Sequence, residues 1–408
     1  MALERLHTLL DHNRALEGVF LGTQVLGTIA TIFIARSLGP AGRGSITTLV
    51  VWTQLLGWIS AFSLDKAIVV LSRSNTARAI EPDGALAWSR RMVTLLSAPV
   101  AILCLVLGRH LFHDWVWSIY LVIGTIATAH GELSAGWLLA KNRMARFILY
   151  RLAQPTLYFV GCTLVALLLR GYSVEVRVAV MAVATVISLV IPVVLVSFTT
   201  PWRIHVRVPG KGLLLFAASA QAANAMQYLN SRLDIVSLSL LTTPKEVGLY
   251  SVGYATGQAT VVLGSAGIIR GITGRATKLD RRGVLGTALL GCAIALVSPI
   301  AIPLVFGQAF VPSIRVAQII ALGGAINYAM QSSSGRLLGA GRPWLMALAE
   351  GCGAVAFGMG IAVSRQIDAV ALSSVASFAV SLAVAQLCLS RIPRTAVFYP
   401  SELPEFPE

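Results

Sequence analysis

Charged side chains are scarce in this sequence. They make up 12% of 408 residues, whereas 56% are hydrophobic and the mean hydropathy is +0.78. That balance excludes a soluble globular chain, because apolar segments long enough to cross a bilayer occupy most of the length. Acidic residues are fewest, 17 Asp and Glu against 32 Lys and Arg. In a soluble chain the net charge of +15 would suggest nucleic acid. In a membrane chain it is the inside-positive bias of cytoplasmic loops, so no nucleic-acid partner is expected. Cysteine is rare and odd in number: Cys104, Cys162, Cys292, Cys352 and Cys388 all fall in apolar segments, which supports neither a disulfide framework nor a metal cluster. With six scattered histidines, no metal site and no cofactor are expected. A P-loop, a GxSxG elbow and an HExxH pair are all missing, so neither an ATP-driven pump nor a membrane hydrolase has residues to work with, and an enzyme is not expected. No small-residue cleavage site follows the first apolar stretch, which therefore reads as a span that stays.

What the sequence does have is an internal echo. Leu38-Gly39-Pro40-Ala41-Gly42-Arg43-Gly44-Ser45-Ile46 separates two long apolar stretches near the N-terminus, and Thr243-Pro244-Lys245-Glu246-Val247-Gly248-Leu249-Tyr250-Ser251 separates two more past the midpoint. In both, glycine follows proline by four positions. A second pair repeats at nearly the same offset, Leu138-Leu139-Ala140-Lys141-Asn142-Arg143 and Leu337-Leu338-Gly339-Ala340-Gly341-Arg342. Two matched pairs imply two homologous lobes within one membrane, the architecture of a transporter.

At about 20 apolar residues per crossing, the chain divides into about twelve spans, six per half. The shortest is the third, Met92 to Leu107; the eighth runs from Val247 to Ile269. The expected fold is an all-α polytopic bundle: an N-terminal lobe over residues 1–200, a C-terminal lobe over 201–392, and a disordered cytoplasmic tail over 393–408. The join from Thr199 to Lys211 is interrupted by Pro201, Pro209 and Gly210. With the N-terminus placed inside, the inner segments collect Arg73, Arg78, Arg90, Arg91, Lys141, Arg143, Arg146 and most later basic residues, which places both termini in the cytoplasm. The short links at Gly39-Pro40 and at Pro244 to Gly248 are expected to be tight outer turns of structural importance.

Polar side chains inside spans are expensive unless they face the bundle interior or a wet cavity. In the seventh span Gln221, Asn224, Gln227, Ser231 and Asp234 recur at spacings of three and four and form one helical face, with Arg232 on its margin. This stripe reads as a cavity lining; interhelical hydrogen bonding is the competing reading. Asn327 and Gln331, with Ser334, share a face of the tenth span, while Lys66 and Arg151 lie in the inner halves of theirs, where snorkelling competes with a substrate role. Asp234 is the first candidate for reading an ion gradient, with Glu132 and Glu350 behind it. The lobe repeat also aligns Arg151 with Glu350, an opposite-charge combination at equivalent places or a chance match.

Ile34-Ala35-Arg36-Ser37-Leu38-Gly39-Pro40 with Gly44, Arg232-Leu233-Asp234 leading to Glu246-Val247-Gly248-Leu249-Tyr250-Ser251, and Phe306-Gly307-Gln308-Ala309-Phe310 together resemble a known family. They look like the Wzx-type oligosaccharide flippases of O-antigen and polysaccharide biosynthesis, a branch of the multidrug/oligosaccharidyl-lipid/polysaccharide exporter superfamily. The resemblance runs from the first span to the twelfth. It implies two pseudo-symmetric six-helix lobes around a central cavity, and alternating-access translocation of an undecaprenyl-pyrophosphate-linked oligosaccharide across the bacterial inner membrane. It also implies membrane lipids, a polysaccharide polymerase and the chain-length machinery of lipopolysaccharide synthesis as partners. The chain lacks the two extra C-terminal helices of similar lipid II flippases, which counts against that cargo. An ion-coupled multidrug exporter of the same superfamily is the alternative, and a polytopic polymerase or ligase stands third because no substantial outer loop is present.

Overall fold

The computed structural model describes residues 2–72, 81–198, 211–260, 280–340 and 342–392. Residues 199–210 of the expected join, the inner end of the eighth span from 261 to 269, and the tail from Pro393 lie outside the described residues. Within them all regular structure is helical, as the apolar periodicity requires. Twelve α-helices run in the order α1 (Ala2–Ala61), α2 (Leu64–Ser72), α3 (Pro82–Phe112), α4 (Trp115–Ala140), α5 (Met144–Leu168), α6 (Val174–Ser197), α7 (Lys211–Leu241), α8 (Pro244–Gly257), α9 (Arg281–Phe306), α10 (Ser313–Gly339), α11 (Pro343–Val363) and α12 (Ile367–Ser390). Seven segments among the described residues are long and apolar enough to cross a membrane, including Val25–Ala61, Pro82–Phe112 and Arg281–Phe306. The chain is a multi-pass membrane protein.

Helix starts follow local chemistry. Asp114 caps α4 by accepting from the Val116 amide at 2.9 Å, and Asp280 caps α9 through the Gly283 amide at 3.1 Å. At α8 the sequence Thr243-Pro244-Lys245-Glu246 forms a reciprocal box: Thr243 Oγ1 accepts from the Glu246 amide and Glu246 Oε2 accepts from the Thr243 amide at 3.2 Å. Such caps contribute about 1 kcal/mol each by satisfying donors that the first turn leaves free. Proline at the first helical position of α8 adds no cost, since that N–H has no partner in any case.

Three places depart from the expected spans. The third helix begins ten residues earlier than its apolar core suggests, with Pro82 in its first turn; Ser89, Arg90 and Arg91 interrupt the apolar pattern without interrupting the helix. The first two spans form one 60-residue helical run, turned at Gly39 (φ 67°, ψ −175°). That backbone region is open essentially to glycine alone. The link is therefore a one-residue kink and not a loop, and Arg177 steadies it by donating to the Ser37 carbonyl at 2.6 Å. Third, the second span is broken between α1 and α2, where Phe62 and Ser63 both take left-handed backbone (φ 50° and 49°). Neither is glycine, and each such residue costs about 1–2 kcal/mol.

By contacts the chain forms two compact units. The first comprises Met1–Leu38, Trp52–Arg73 and Arg78–Ala217, and the second Gly39–Val51, Ser74–Ala77 and Ala218–Glu408. In the first, α3 packs on α4 and α5 on α6; a Cβ at Gly57 would collide with the Thr128 side chain, and one at Gly136 with the Asp65 backbone. In the second, α10 lies against α8, α9 and α12, and α11 against α12, around buried Tyr250, Phe310, Val316, Ala317 and Tyr328.

Candidate functional site

In the first unit the acidic and basic candidates find each other. Glu132 on α4 receives both guanidinium nitrogens of Arg151 from α5, at 2.9 and 2.8 Å, a bidentate pair of the strongest type. Arg151 also lies over the Phe147 ring at 5.5 Å. A cavity of about 40 Å³ touches this pair, lined also by Tyr150, Gln154 and Thr128. Arg151 is thus committed to Glu132 within the first unit, and Glu350 belongs to the second. Lys66 stands in the first turn of α2, immediately after the Phe62–Ser63 break, with its side chain exposed.

In the second unit the stripe on α7 separates into two parts. Gln221, Asn224, Gln227 and Ser231 are half-buried, whereas Asp234 is buried at 3% exposure. Ser231 donates to the Tyr228 carbonyl of its own helix at 2.9 Å. Asp234 faces into the unit: Tyr250 of α8 donates to its Oδ2 at 2.5 Å, and Ser374 of α12 approaches the same oxygen at 3.5 Å. Arg232 is half-buried with its guanidinium over the Tyr254 ring at 5.4 Å. Tyr254 donates to the Ser231 carbonyl at 3.0 Å and stacks on Tyr250 at 6.1 Å. Arg232 and Asp234 leave α7 on different sides, yet the two tyrosines, one turn apart on α8, connect them.

Glu350 on α11 is fully buried. Asn230 donates to one of its carboxylate oxygens at 2.6 Å and Ser334 to the other at 2.7 Å. Asn230 is itself held by α12: its Nδ2 reaches Ser381 at 3.0 Å and its Oδ1 accepts from Ser377. Asn327 is buried and accepts from Gln331 Nε2 at 2.6 Å, so it orients the half-buried Gln331. The residues that the sequence reading passed over are Asn230, Tyr250, Tyr254 and the serines of α12. Their signal was present, since Ser373, Ser374, Ser377 and Ser381 recur at helical spacing on one face.

Residues 16–267, more than half of the chain, match the family described as polysaccharide biosynthesis protein. The chain belongs to that family. The family's fold is shared with solved transporters. The chain superposes on a lipid II flippase, MurJ, in an inward closed conformation with a TM-score of 0.70 at 10% identity, covering 95% of this chain and 90% of that one. An inward-facing multidrug resistance MATE family transporter of the MOP superfamily gives 0.63 at 12% identity, over 92% and 98% of the two chains. The eukaryotic MATE transporter AtDTX14 gives 0.61 at 13%, over 94% and 97%. At these identities the likeness is one of fold. No curated protein matches the chain by sequence.

Proposed function

We propose that this family member is a flippase that carries an undecaprenyl-pyrophosphate-linked oligosaccharide across the bacterial inner membrane by alternating access, in the synthesis of O-antigen or a related surface polysaccharide. The observation that carries the reading is Arg232, a half-buried cation on α7 whose guanidinium lies over the face of Tyr254 at 5.4 Å. A membrane-embedded cation is costly, at least about 2.5–3.5 kcal/mol on insertion scales, and marks an anionic cargo or a pathway. Its planar fork suits the pyrophosphate, and exposed Lys66 is the second candidate cation. Arg151 already neutralises Glu132 and serves to shape the first unit. Gln221, Asn224, Gln227, Ser231 and Gln331 offer amide and hydroxyl groups to sugars, with Asn327 as the support of Gln331. Asp234 is the proposed reader of an ion gradient, Glu350 the second candidate, and Glu132 the least suited because a fixed guanidinium occupies both its oxygens. A polysaccharide polymerase and chain-length machinery would act on the delivered cargo, and both termini would face the cytoplasm.

The drug-exporter alternative draws on the shared MATE fold and on a buried carboxylate beside two tyrosines. Arg232 covers the ring that a cationic drug would need, which weighs against it. A polymerase or ligase has little room among the described connections, which are short. The test is reconstitution of the purified chain in vesicles with several defined lipid-linked oligosaccharides, scored by lectin access from the far side. Transfer of at least one, dependent on the chain, is expected. No transfer of any, together with raised drug resistance in cells, would overturn the reading in favour of the exporter.

A further inference from the structure

The turn between α4 and α5 gathers three cations, Lys141, Arg143 and Arg146. One of them is already matched: Lys141 Nζ donates to Asp83 Oδ2 at 2.8 Å, while Trp137 Nε1 donates to the other oxygen of that carboxylate at 2.7 Å. The Trp137 indole is therefore fixed. It is buried at 2% exposure, and its face supports the Arg143 guanidinium at 4.9 Å. Arg143 is thus held over a rigid ring and does not sweep through solvent. Arg143 and Arg146 are both exposed, and neither forms an ion pair among the described residues; Glu81, the exposed acid that precedes α3, pairs with neither of them.

Local helix chemistry works against these two charges. Arg143 is the N-cap of α5 and Arg146 stands in its first turn, where the dipole favours acid, yet that turn contains no acid and no side chain caps it. By contrast α9, which also begins with two arginines, has Asp280 as its cap. At a spacing of three positions the Arg143 and Arg146 side chains leave neighbouring sides of the helix start, about 5–6 Å apart at Cβ. Two guanidinium groups so placed can each take an oxygen of one phosphodiester. Asn142, in left-handed backbone (φ 55°), joins Arg143, Met144, Ala145 and Arg146 in lining an open depression.

Further along α5 the surface becomes apolar. Leu149 is 70% exposed and Val160 and Leu164 are exposed as well; at about 100° per residue all three lie on the side of α5 that carries Arg146. The helix itself is long and apolar enough to cross a membrane. A cationic notch at the head of an exposed apolar helix face is complementary to a molecule with an anionic head and a hydrocarbon body. A soluble anion would leave the apolar face unused.

We propose that Arg143 and Arg146 form a site for the headgroup of an anionic phospholipid, whose acyl chain lies along Leu149 and the exposed face of α5. The site belongs wholly to the first unit, uses none of the residues assigned to the cargo, and does not depend on what the chain transports. Its occupant supplies the negative charge that the start of α5 lacks.

The test uses the full chain, purified in mild detergent and titrated with phosphatidylglycerol or with phosphatidylcholine of the same acyl chains, with bound lipid counted by mass spectrometry of the intact complex. Phosphatidylglycerol should be retained in preference. Arg146→Gln removes an exposed side chain that forms no ion pair, so it should fold, and it should weaken phosphatidylglycerol binding about fivefold; adding Arg143→Gln should bring the loss to about 25-fold, with phosphatidylcholine binding unchanged. Arg281→Gln with Arg282→Gln, the same loss of charge at the start of α9, should leave phosphatidylglycerol binding as it is. Equal retention of the two lipids by the natural chain, or an equal loss in the α9 variant, would show only the general attraction of a basic surface and overturn the proposal. Displacement of the lipid by inorganic phosphate at matched concentration would assign the notch to a free anion and overturn it too. The single variant decides if the double one does not fold.

Discussion

Glu132 in the first unit and Glu350 in the second are both carboxyl groups within membrane helices, but they are satisfied differently. Glu132 has a guanidinium across both oxygens. Glu350 has an amide and a hydroxyl, and Asp234, its neighbour in the same unit, has a phenol and a serine. A carboxylate locked to arginine is a fixed, neutral pair. One surrounded by neutral donors can exchange a proton or a cation without leaving a buried countercharge. The first unit thus holds its carboxylate in a fixed pair, and the second offers the carboxyl groups proposed above as readers of an ion gradient.

The sharpest way to break this contrast is to delete one partner in each unit. Arg151→Ala leaves Glu132 without its countercharge; because Arg151 is 37% exposed, we expect a loss of roughly 2–3 kcal/mol rather than the full cost of a buried pair, seen as several-fold lower membrane abundance. Adding Glu132→Gln should restore abundance. Glu350→Gln keeps the shape and should fold normally. Equal abundance for the two single variants, by quantitative blotting of membranes, would remove the distinction.

Arg232→Ala sharpens the functional side. Glycan export should be lost with abundance unchanged, and Arg232→Lys should be partly active because charge survives without the bidentate fork. Full export by the alanine variant would show that the cation is dispensable. Asp234→Asn should retain transport down the cargo's own gradient but lose its response to an imposed proton or sodium gradient. Unchanged gradient dependence would move the coupling role to Glu350 or out of the protein. The smallest effect is expected for Ser381→Ala, which removes one of the bonds to Asn230 and should cost about 1 kcal/mol of stability, read as a small fall in thermal midpoint in detergent.

The span order and the polar face of α7 were legible because apolar length and 3.6-residue periodicity report directly on helices and their faces. The proline–glycine echo was legible as a repeat, but nothing in its spacing says that the two copies touch, or that Gly44 and Gly248 lie within helices and not in turns. Glu132 and Arg151 are 19 positions apart on different helices, and that meeting depends on how α4 and α5 pack. The serine face of α12 passes in an apolar helix because each hydroxyl can bond its own helix backbone, as Ser374 does with Val370. Phe62 and Ser63 gave no warning of a break, since neither is a residue that ends helices by itself.

The kink at Gly39 has a consequence for how the chain is made. Two apolar helical stretches joined by one residue leave no separate loop between them, so we expect them to enter the bilayer as one connected unit. A side chain at Gly39 would then be felt during synthesis, before any later helix has emerged from the ribosome. Protease protection of ribosome-bound chains truncated in the segment after Ser72 would reveal it, with Gly39→Val leaving the second crossing accessible where the natural chain is shielded.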